Sequence, residues 1–472
     1  MNLAAHLLRG RSAAPALVCG DERVSREELA QRVASAAAGY RSLGVRPGER
    51  VLIALHDTPR FAAAWLGAVH AGAVAIALNS KLTEAEYRHI RADSGARLAL
   101  VDAAFAPARA ALGDLCATLP EADGQPPAFE AEPDAPAFGI YSSGTTGMPK
   151  GIVHAHRVAL SVGEAFRLLG ITEGARVLST SRFFFAYGLE HGLLAPLAAG
   201  ASSILIPDWP EPEALAALVE RERPEAMFSV PTLYRRLLAE GAERLAPFRG
   251  VRHFVSAGER LSPQLVAQWR AATGGEILNL YGVSETFCAV MMTPPAASDG
   301  LRTGRPFPIS ELRLEDDVLW LRHPALTRGY SNLPAETDAQ FRDGWFCTRD
   351  VFARDAEGFY VHQGRADELV KVAGQWVWPV ELEEAALASP AVAEAACVRV
   401  EDGDGLQRLA LFVTAREAMD AAHAVAAACE RLPRHKRPKW IRVVDELPRT
   451  ATGKVQRFKL REILERELAR SG

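Results

Sequence analysis

The chain has 472 residues, of which 49% are hydrophobic and 24% are charged, and at roughly 150 residues per domain this length indicates two or three folded domains. Its 54 basic and 58 acidic side chains give a formal net charge of −4, so the strongly basic surface that binds nucleic acid is not expected. The six cysteines are scattered without a Cys-x-x-Cys pair or a cysteine and histidine cluster, which argues against a disulfide framework and a zinc site. We expect a cytoplasmic protein.

The N-terminal part alternates helical patterns with short apolar strands. Capping-box sequences begin at Ser25 and at Thr83, and each precedes a helical pattern and then a strand. Residues 61–78 are nearly all apolar but rich in alanine and glycine, so we expect a buried helix that ends at Gly72 and a core strand. This alternation predicts an α/β fold with a largely parallel sheet, and no membrane partner.

A candidate phosphate-binding loop follows the strand pattern at residues 137–141. The segment 142–151 reads Ser-Ser-Gly-Thr-Thr-Gly-Met-Pro-Lys-Gly, and its glycines, hydroxyls and lysine suit a loop that surrounds phosphate oxygens. The glycine spacing differs from that of a Walker loop. Ser142 and Ser143 do not lie in the Gly-x-Ser-x-Gly turn of serine hydrolases, so they are poor nucleophile candidates. A surface turn is the alternative.

Tyr141–Gly151 resembles the phosphate loop of the adenylate-forming superfamily, which includes acyl-CoA synthetases, peptide-synthetase adenylation domains and luciferases. Four further segments resemble that family's motifs in the family's order, and they are Leu280–Thr286, Trp345–Asp350, Gly364–Glu368 and Pro448–Lys454. The resemblance implies a large N-terminal domain at 1–366, with mixed or parallel β-sheets and flanking helices. It also implies a small mobile C-terminal α+β lid at 367–472, with a hinge at Asp367.

The resemblance implies a two-step reaction that uses ATP, Mg²⁺ and coenzyme A. A carboxylate attacks the α-phosphorus of ATP to give an acyl-adenylate and pyrophosphate, and a thiol then displaces AMP. Both steps develop negative charge, which cations and N–H donors stabilise. The catalytic residues implied are Lys454, Glu285 and Thr146, with Lys454 between the carboxylate and the α-phosphate and Glu285 holding Mg²⁺.

The implied nucleotide contacts cover the phosphates, the ribose and the adenine. Tyr281 would stack on adenine, Asp350 would accept hydrogen bonds from the ribose hydroxyls, and Arg365 would donate to ribose or phosphate. The full set is Ser142, Ser143, Gly144, Thr145, Thr146, Gly147, Lys150, Ser256, Gly258, Glu259, Tyr281, Gly282, Ser284, Glu285, Asp350, Arg365 and Lys454.

Two positions depart from the family's pattern. Ser284 replaces the usual threonine but keeps its hydroxyl. Arg349 stands where the family usually has glycine, and only glycine adopts positive φ freely. The backbone conformation before Asp350 is therefore left open by the sequence.

The segment Arg182–Leu189 looks most like the acyl-pocket loop of benzoate–CoA ligases and their relatives. An aromatic wall of Phe184 and Tyr187 beside glycines suits a flat ring. The loop has no aspartate to neutralise an ammonium, which argues against an α-amino acid, although Glu190 leaves a small opening. The predicted pocket comprises Phe184, Ala186, Tyr187, Gly188, Ala257, Gly258, Gly282, Val283 and Cys288.

The ring substituent and the thiol acceptor stay open at this point. Cys288 lies where benzoate–CoA ligases often carry a histidine, so benzoate, hydroxybenzoates, anthranilate and medium-chain aliphatic acids all remain candidates. Gly374 would line the thiol tunnel, and Lys436 in an exposed basic cluster would contact CoA.

The sequence therefore predicts an AMP-forming aryl-acid–CoA ligase, either a monomer or a homodimer. One alternative is an enzyme that loads an acid onto the phosphopantetheine of an acyl carrier protein. A second alternative is a non-catalytic nucleotide-binding homologue.

Overall fold

The computed structural model describes residues 1–10, 12–120, 122, 124–143, 148–372, 375–389, 391–403, 405–415, 421–449 and 455–471. Six predicted site residues lie outside the described residues, and they are Gly144, Thr145, Thr146, Gly147, Gly374 and Lys454. The chain forms two compact units. The first comprises Met1–Leu314, Trp320–Thr348 and Arg354–Val361, and the second comprises Glu315–Leu319, Arg349–Ala353 and His362–Gly472.

Fifteen α-helices occur among the described residues. They are α1 (Leu3–Leu7), α2 (Arg26–Ser42), α3 (Pro59–His70), α4 (Glu84–Ser94), α5 (Ala106–Leu112), α6 (Glu164–Leu169), α7 (Ala186–Leu189), α8 (Ala195–Ala199), α9 (Pro212–Glu222), α10 (Pro231–Ala239), α11 (Pro263–Thr273), α12 (Pro334–Gln340), α13 (Pro379–Leu387), α14 (Ala421–Cys429) and α15 (Arg457–Ser471). Within the described ranges, none is long and apolar enough to cross a membrane.

The β-strands are β1 (Leu17–Cys19), β2 (Glu22–Val24), β3 (Arg50–Ala54), β4 (Val74–Ala77), β5 (Leu98–Val101), β6 (Cys116–Ala117), β7 (Pro136–Ser143), β8 (Pro149–Ala155), β9 (Arg176–Ser179), β10 (Ser202–Ile204), β11 (Ala226–Ser229), β12 (His253–Ser256), β13 (Ile277–Gly282), β14 (Ala289–Met292), β15 (Arg305–Pro306), β16 (Glu311–Glu315), β17 (Val318–Arg322), β18 (Phe341–Arg342), β19 (Trp345–Arg354), β20 (Tyr360–Arg365), β21 (Val370–Val372), β22 (Gln375–Val377), β23 (Val392–Glu401), β24 (Gln407–Ala415) and β25 (Trp440–Val443).

Local sequence signals explain the predicted helices of the N-terminal part. Ser25 and Thr83 each accept a hydrogen bond from the third residue of the following helix, whose glutamate reaches back to the cap, so both capping boxes are confirmed. The apolar stretch 61–78 forms most of α3 and all of β4, as predicted. Gly72 follows α3 with φ of 88°, a conformation that glycine adopts without strain.

Two sheets organise the first unit. The six-stranded sheet has the order β6-β5-β3-β4-β7-β8, and the nine-stranded sheet has the order β15-β14-β13-β12-β11-β9-β10-β1-β2. The largest hydrophobic core contains side chains of both sheets and of helices α2 and α3 between them. Helices α9, α10 and α11 pack on the other face of the nine-stranded sheet, and α4 and α5 pack on the other face of the six-stranded sheet. The first unit is therefore layered as the α/β prediction requires.

The nine-stranded sheet changes direction between β9 and β11. These strands lie side by side and parallel, but the chain continues from β9 to β10 on one side and from β11 to β12 on the other. In such sheets the loops leaving the carboxyl ends of the two strands diverge and leave a crevice that binds ligands. The loops that follow β9, β11 and β12 are therefore the structural candidates for an acyl site.

The second unit contains a smaller sheet with the order β23-β24-β25, and a separate pair formed by β21 and β22. Helices α13 and α14 pack on the sheet through Leu382, Ala386 and Val425, and α15 packs through Leu460 and Leu464. This is an α+β arrangement. The predicted boundary at Asp367 and its role as a hinge stay predictions.

Arg349 lies in β19 with φ of 61°, so the position where the family usually has glycine does require a left-handed backbone. This conformation destabilises a non-glycine residue by about 1–2 kcal/mol, so glycine at position 349 would relieve strain in the folded state. The greater conformational freedom of glycine in the unfolded chain would offset part of this stabilisation. We predict that Arg349→Gly raises the free energy of unfolding of the second unit by about 1 kcal/mol in urea denaturation. Arg349→Ala, which removes the side chain but keeps the strain, is the control, and an equal gain in both variants would contradict the backbone explanation.

Candidate active site

The predicted phosphate loop joins two paired strands at one edge of the six-stranded sheet. Strands β7 and β8 are antiparallel, with Ser142 opposite Lys150 and Tyr141 opposite Gly151. Strand β8 is the edge strand, and Ile152 forms an isolated β-bridge with Tyr330. Ser143 is the last residue of β7, so the loop leaves and re-enters the sheet at adjacent positions.

The Lys150 ammonium is held by two side chains from a distant part of the sequence. It forms an ion pair with the Glu336 carboxylate, and its Nζ lies 5.5 Å from the centre of the Tyr330 ring. Only 12% of the Lys150 side chain is exposed. Glu336, in the first turn of α12, and Tyr330 are absent from the sequence prediction, because each is brought to Lys150 only by the fold.

Glu285 lies in the loop between β13 and β14 and meets the same tyrosine. The hydroxyl of Tyr330 donates a hydrogen bond of 2.6 Å to Oε1 of Glu285, and the backbone N–H of Thr327 donates one of 2.8 Å to the Glu285 carbonyl. Tyr330 therefore contacts both Lys150 and Glu285. The fold brings together the predicted phosphate ligand and the predicted magnesium ligand.

Aromatic packing fixes the phosphate-loop hairpin against the Glu285 loop. Phe138 of β7 lies 5.1 Å from His154 and 4.7 Å from Phe287, measured between ring centres. Nε2 of His154 donates a hydrogen bond of 3.0 Å to the carbonyl oxygen of Ser284. Burial lowers the pKa of His154 to about 4, so this histidine is a neutral packing residue at pH 7.

The predicted adenine-side residues lie at the carboxyl ends of two neighbouring parallel strands. Ser256 ends β12, and Tyr281 and Gly282 end β13, which pairs with β12. A side chain at Gly282 would place its Cβ 3.0 Å from the Cα of Ala289, so the β13–β14 pair admits little more than glycine there. Among the described residues the Ser256 hydroxyl has no hydrogen-bond partner.

Beyond Ser256 the chain turns with φ of 83° at Gly258, next to the buried Ala257. Glu259 accepts a hydrogen bond of 2.7 Å from the hydroxyl of Thr232, which lies in α10 after β11. The loops that leave β11 and β12 are thereby tied to each other.

The aromatic loop after β9 is anchored by Arg182. Its guanidinium donates to the carbonyl oxygens of Ile206 and Asp208 at 2.6 and 2.7 Å, and its Nε lies 3.2 Å from Oδ2 of Asp57. Asp57 also accepts a hydrogen bond of 3.1 Å from the backbone N–H of Phe183. Burial raises the pKa of Asp57 to about 7 against the opposing charge of Arg182. The sequence prediction missed Asp57, which lies 125 positions before Arg182 with no local motif.

The predicted aromatic wall is partly core and partly tied to the strand ends. Phe184 is buried and lies 4.4 Å from Phe185 between ring centres. The Tyr187 hydroxyl is 3.2 Å from the carbonyl oxygens of both Ser229 and Val255, at the carboxyl ends of β11 and β12. Tyr187, at the second position of α7 after Ala186, therefore crosses the ends of the two strands.

Gly188 is required by packing. A Cβ at this position would lie 2.2 Å from the carbonyl oxygen of Arg182, a distance that no side chain tolerates. The close approach brings the helix that starts at Ala186 directly over the loop that leaves β9. The aromatic side chains of this loop are thereby held at the carboxyl edge of the sheet.

Glu190 and Cys288 form a buried polar pair beside this loop. Glu190 accepts a hydrogen bond of 3.1 Å from the backbone N–H of Ala289, and its carboxyl also bonds the thiol of Cys288. Burial raises the pKa of Glu190 to about 8 and holds the pKa of the Cys288 thiol well above its usual value. Both groups are therefore largely uncharged at neutral pH. Val283, the first residue of the loop that contains Cys288, is half-buried.

Two predicted ribose contacts lie together within the second unit. The guanidinium of Arg365 approaches Oδ1 of Asp350 at 3.5 Å and forms two hydrogen bonds of 3.0 Å with Asp367. Burial opposes the charge on Arg365, but the bonds to Asp367 and the charge of Asp350 outweigh it and raise the pKa above its usual value. The predicted hinge residue is thus engaged with a predicted nucleotide ligand. Lys436, the predicted CoA contact, forms an ion pair with Glu381.

Relatives of known activity resemble the chain over nearly its full length. It is 37% identical to a 3-hydroxybenzoate–CoA ligase of Aromatoleum sp. (strain CIB), over 97% of this chain and 95% of that protein. It is 35% identical to a benzoate–CoA ligase of Thauera aromatica, over 97% of this chain and 94% of that protein.

Two solved structures have the same fold. The crystal structure of an anthranilate CoA ligase in complex with anthranoyl-AMP matches with a TM-score of 0.91 and 30% identity, over 99% of this chain and 98% of that one. A benzoate CoA ligase from Burkholderia xenovorans LB400 matches with a TM-score of 0.88 and 33% identity, over 98% of this chain and 100% of that one. The predicted mixed α/β fold, with a large N-terminal and a small C-terminal domain, is confirmed.

Family models cover both parts of the chain. Residues 5–331 match the model of the AMP-binding enzymes, and residues 381–454 match the model of the AMP-binding enzyme C-terminal domain. These matches agree with the order of the phosphate-loop, Glu285 and C-terminal segments in the sequence. The resemblance to the adenylate-forming superfamily is thereby confirmed, and the chain belongs to the AMP-binding enzyme family.

Proposed function

We propose that this protein is an AMP-forming aryl-acid–CoA ligase that converts a benzoate-type acid into its CoA thioester. The observation that carries the proposal is the aromatic loop at the carboxyl ends of β9, β11 and β12, in which residues 183–189 have no charged side chain, in a chain 37% and 35% identical to hydroxybenzoate– and benzoate–CoA ligases. Tyr187 and Phe184 offer a flat aromatic ring apolar burial and ring contacts. Full-length similarity to named ligases supports a catalytic chain over a non-catalytic homologue.

In the first half-reaction a carboxylate oxygen of the acid bonds to the α-phosphorus of ATP, and the bond to pyrophosphate breaks. Lys150 supplies positive charge to the β- and γ-phosphates, and Lys454 supplies it where the carboxylate meets the α-phosphate. Asp350 and Arg365 hold the ribose, and Tyr281 holds the adenine. The acyl group is oriented by the loop that Arg182 anchors.

The residues around Glu285 suit a magnesium ion. Mg²⁺ prefers oxygen ligands such as carboxylates, and the carboxylate of Glu285 is oriented by the hydrogen bond from the Tyr330 hydroxyl, whose ring also contacts Lys150. A magnesium ion held by Glu285 would supply positive charge to the phosphates as pyrophosphate leaves. Glu285 is the residue proposed to hold it.

In the second half-reaction the sulfur of the CoA thiol bonds to the acyl carbon, AMP leaves with the bonding electrons, and the thiol proton passes to solvent. We assign Gly374 to the thiol tunnel and Lys436 to a CoA contact. Asp367 is the proposed hinge about which the C-terminal domain turns between the half-reactions.

We predict acid-dependent release of pyrophosphate and AMP, with formation of an aryl-CoA, when the purified protein receives ATP, Mg²⁺, CoA and one acid of a panel. The panel comprises benzoate, hydroxybenzoates, aminobenzoates and straight-chain C4–C12 acids. A preference for fatty acids would contradict the aryl assignment. Acyl-AMP without thioester would instead favour a carrier-protein acceptor, and ATP binding without pyrophosphate release would favour a non-catalytic homologue.

Two substitutions should separate the half-reactions. Lys454→Ala removes the positive charge proposed at the α-phosphate, so adenylation should fall by at least about a hundred-fold. Asp367→Pro restricts the proposed hinge, so transfer from preformed aryl-AMP to CoA should slow while adenylation persists. Stopped assays of each half-reaction measure both effects, and full activity of both variants in both assays would refute the assigned roles.

Lys150→Met keeps most of the length of the side chain but removes its charge. Because Lys150 is proposed to hold the β- and γ-phosphates, the KM for ATP should rise by about ten-fold or more, with a smaller change in the KM for the acid. Lys459→Met, at an exposed position of α15, is the matched control and should leave both values unchanged. Equal changes in both KM values for Lys150→Met would indicate a general loss of structure instead.

A further inference from the structure

Helix α7 continues into α8 through a π-helical turn at Glu190–Leu194. π-Helical turns are rare in proteins, and those that do occur are often found at functional sites. The helix departs there from its regular hydrogen bonds. The turn carries His191, whose side chain is 1% exposed. A polar ring is therefore buried directly after the aromatic loop, and the sequence prediction did not include it.

One hydrogen bond of His191 indicates the position of its proton. Nδ1 lies 3.1 Å from the carbonyl oxygen of Tyr187, and a carbonyl only accepts, so Nδ1 carries the hydrogen. Oε2 of Glu190 is also near Nδ1, at 3.6 Å, which is beyond hydrogen-bond distance. Burial lowers the pKa of His191 to about 4, so the ring is neutral at pH 7. Nε2 is consequently a lone-pair acceptor, and within the described part of the chain nothing donates to it.

Aromatic rings surround this acceptor. Between ring centres, His191 lies 4.7 Å from Phe228, on which it stacks, 5.0 Å from Tyr187 and 6.3 Å from Phe166. The Tyr187 hydroxyl is directed at the carbonyl oxygens of the strand ends and not at His191. The setting suits an aromatic ligand, and the unpaired nitrogen suits a donor on that ligand.

His191 also lies where this sheet is expected to bind a ligand. It stacks on Phe228 of β11, and a Cβ at the next residue, Gly192, would come within 3.0 Å of Cβ of Ser179, which ends β9. Strands β9 and β11 are the pair at which the chain changes direction, and ligands bind outside the carboxyl ends of such strands.

We propose that Nε2 of His191 accepts a hydrogen bond from a hydroxyl or amino group on the ring of the aryl acid. This inference rests on the proposed function and specifies its substrate class. An acid with such a donor pairs the buried nitrogen, whereas benzoate leaves it unpaired, so the enzyme prefers the substituted acid. His191 is thereby a specificity-determining residue of the acyl site.

The test compares kcat/KM for pyrophosphate release with benzoate, the three hydroxybenzoates, the three aminobenzoates and the three methoxybenzoates. Methoxy groups are bulky but have no hydrogen to donate. The wild-type enzyme should prefer one hydroxy or amino acid over both benzoate and its methoxy counterpart by about ten-fold or more. The favoured acid identifies the donor and its ring position.

Three variants assign that preference to Nε2. His191→Phe removes the acceptor and should reduce the preference to about one-fold. His191→Gln can place an amide oxygen near the position of Nε2 and should keep part of it, whereas His191→Asn, whose amide ends near the position of Nδ1, should not. His253→Phe is the matched control, since the Nε2 of His253 is also buried and unpaired but lies at the amino end of β12. It should keep the full preference.

Several results would overturn the inference. A wild-type enzyme that uses benzoate as well as every hydroxy and amino acid has no donor preference, and the inference then fails while the proposed function stands. The inference also fails, with the proposed function intact, if the donor preference persists in His191→Phe. The same holds if His253→Phe abolishes the preference as fully as His191→Phe does. If no aryl acid releases pyrophosphate, the proposed function fails and the inference fails with it. If His191→Phe does not fold, the comparison of His191→Gln with His191→Asn decides.

Discussion

The packing of the phosphate-loop hairpin against the Glu285 loop is the contact on which the nucleotide side of the site depends. It joins the two large sheets through the rings of Phe138, His154 and Phe287 and through the hydrogen bond from His154 to Ser284. Because His154 is neutral, this junction contains no buried charge to solvate. Tyr330 can then contact Lys150 from one sheet and Glu285 from the other.

The acyl side follows from a different constraint, the change of direction between β9 and β11. The loop leaving β9 is held by Arg182 and Asp57 at its start and by the Tyr187 hydroxyl at the ends of the neighbouring strands. The Arg182 anchor binds backbone carbonyls and one buried carboxyl, so the start of the loop is held without its aromatic side chains. Tyr187 has two roles, because it both ties the loop to the strand ends and forms part of the predicted aromatic wall.

The sequence predicted the features that depend on local patterns. Capping boxes, the hydroxyl- and glycine-rich loop and the aromatic segment are each encoded by neighbouring residues, and their order along the chain indicated the family. The sequence left the backbone conformation of Arg349 open, because the neighbouring residues do not indicate whether a non-glycine residue adopts positive φ at that position. The structure gives that answer directly.

Glu336, Asp57 and His191 could not be predicted, since their roles depend on partners that only the fold brings close. The carboxylate of Glu336 meets an ammonium 186 positions earlier in the chain. The unpaired nitrogen of His191 becomes visible only when the hydrogen bond of its other nitrogen is known. A histidine in an otherwise apolar segment was the one available signal, and in isolation it is more often a packing residue.

The most direct test of the account follows oxygen from the acid into the nucleotide. The aryl acid that the enzyme uses best is labelled with ¹⁸O in its carboxylate and incubated with ATP, Mg²⁺ and CoA, and the products are examined by mass spectrometry. Attack of the carboxylate on the α-phosphorus predicts one ¹⁸O atom in AMP, none in pyrophosphate, and one retained in the aryl-CoA thioester. Label in inorganic phosphate with formation of ADP, or thioester formed without label in AMP, would contradict the account.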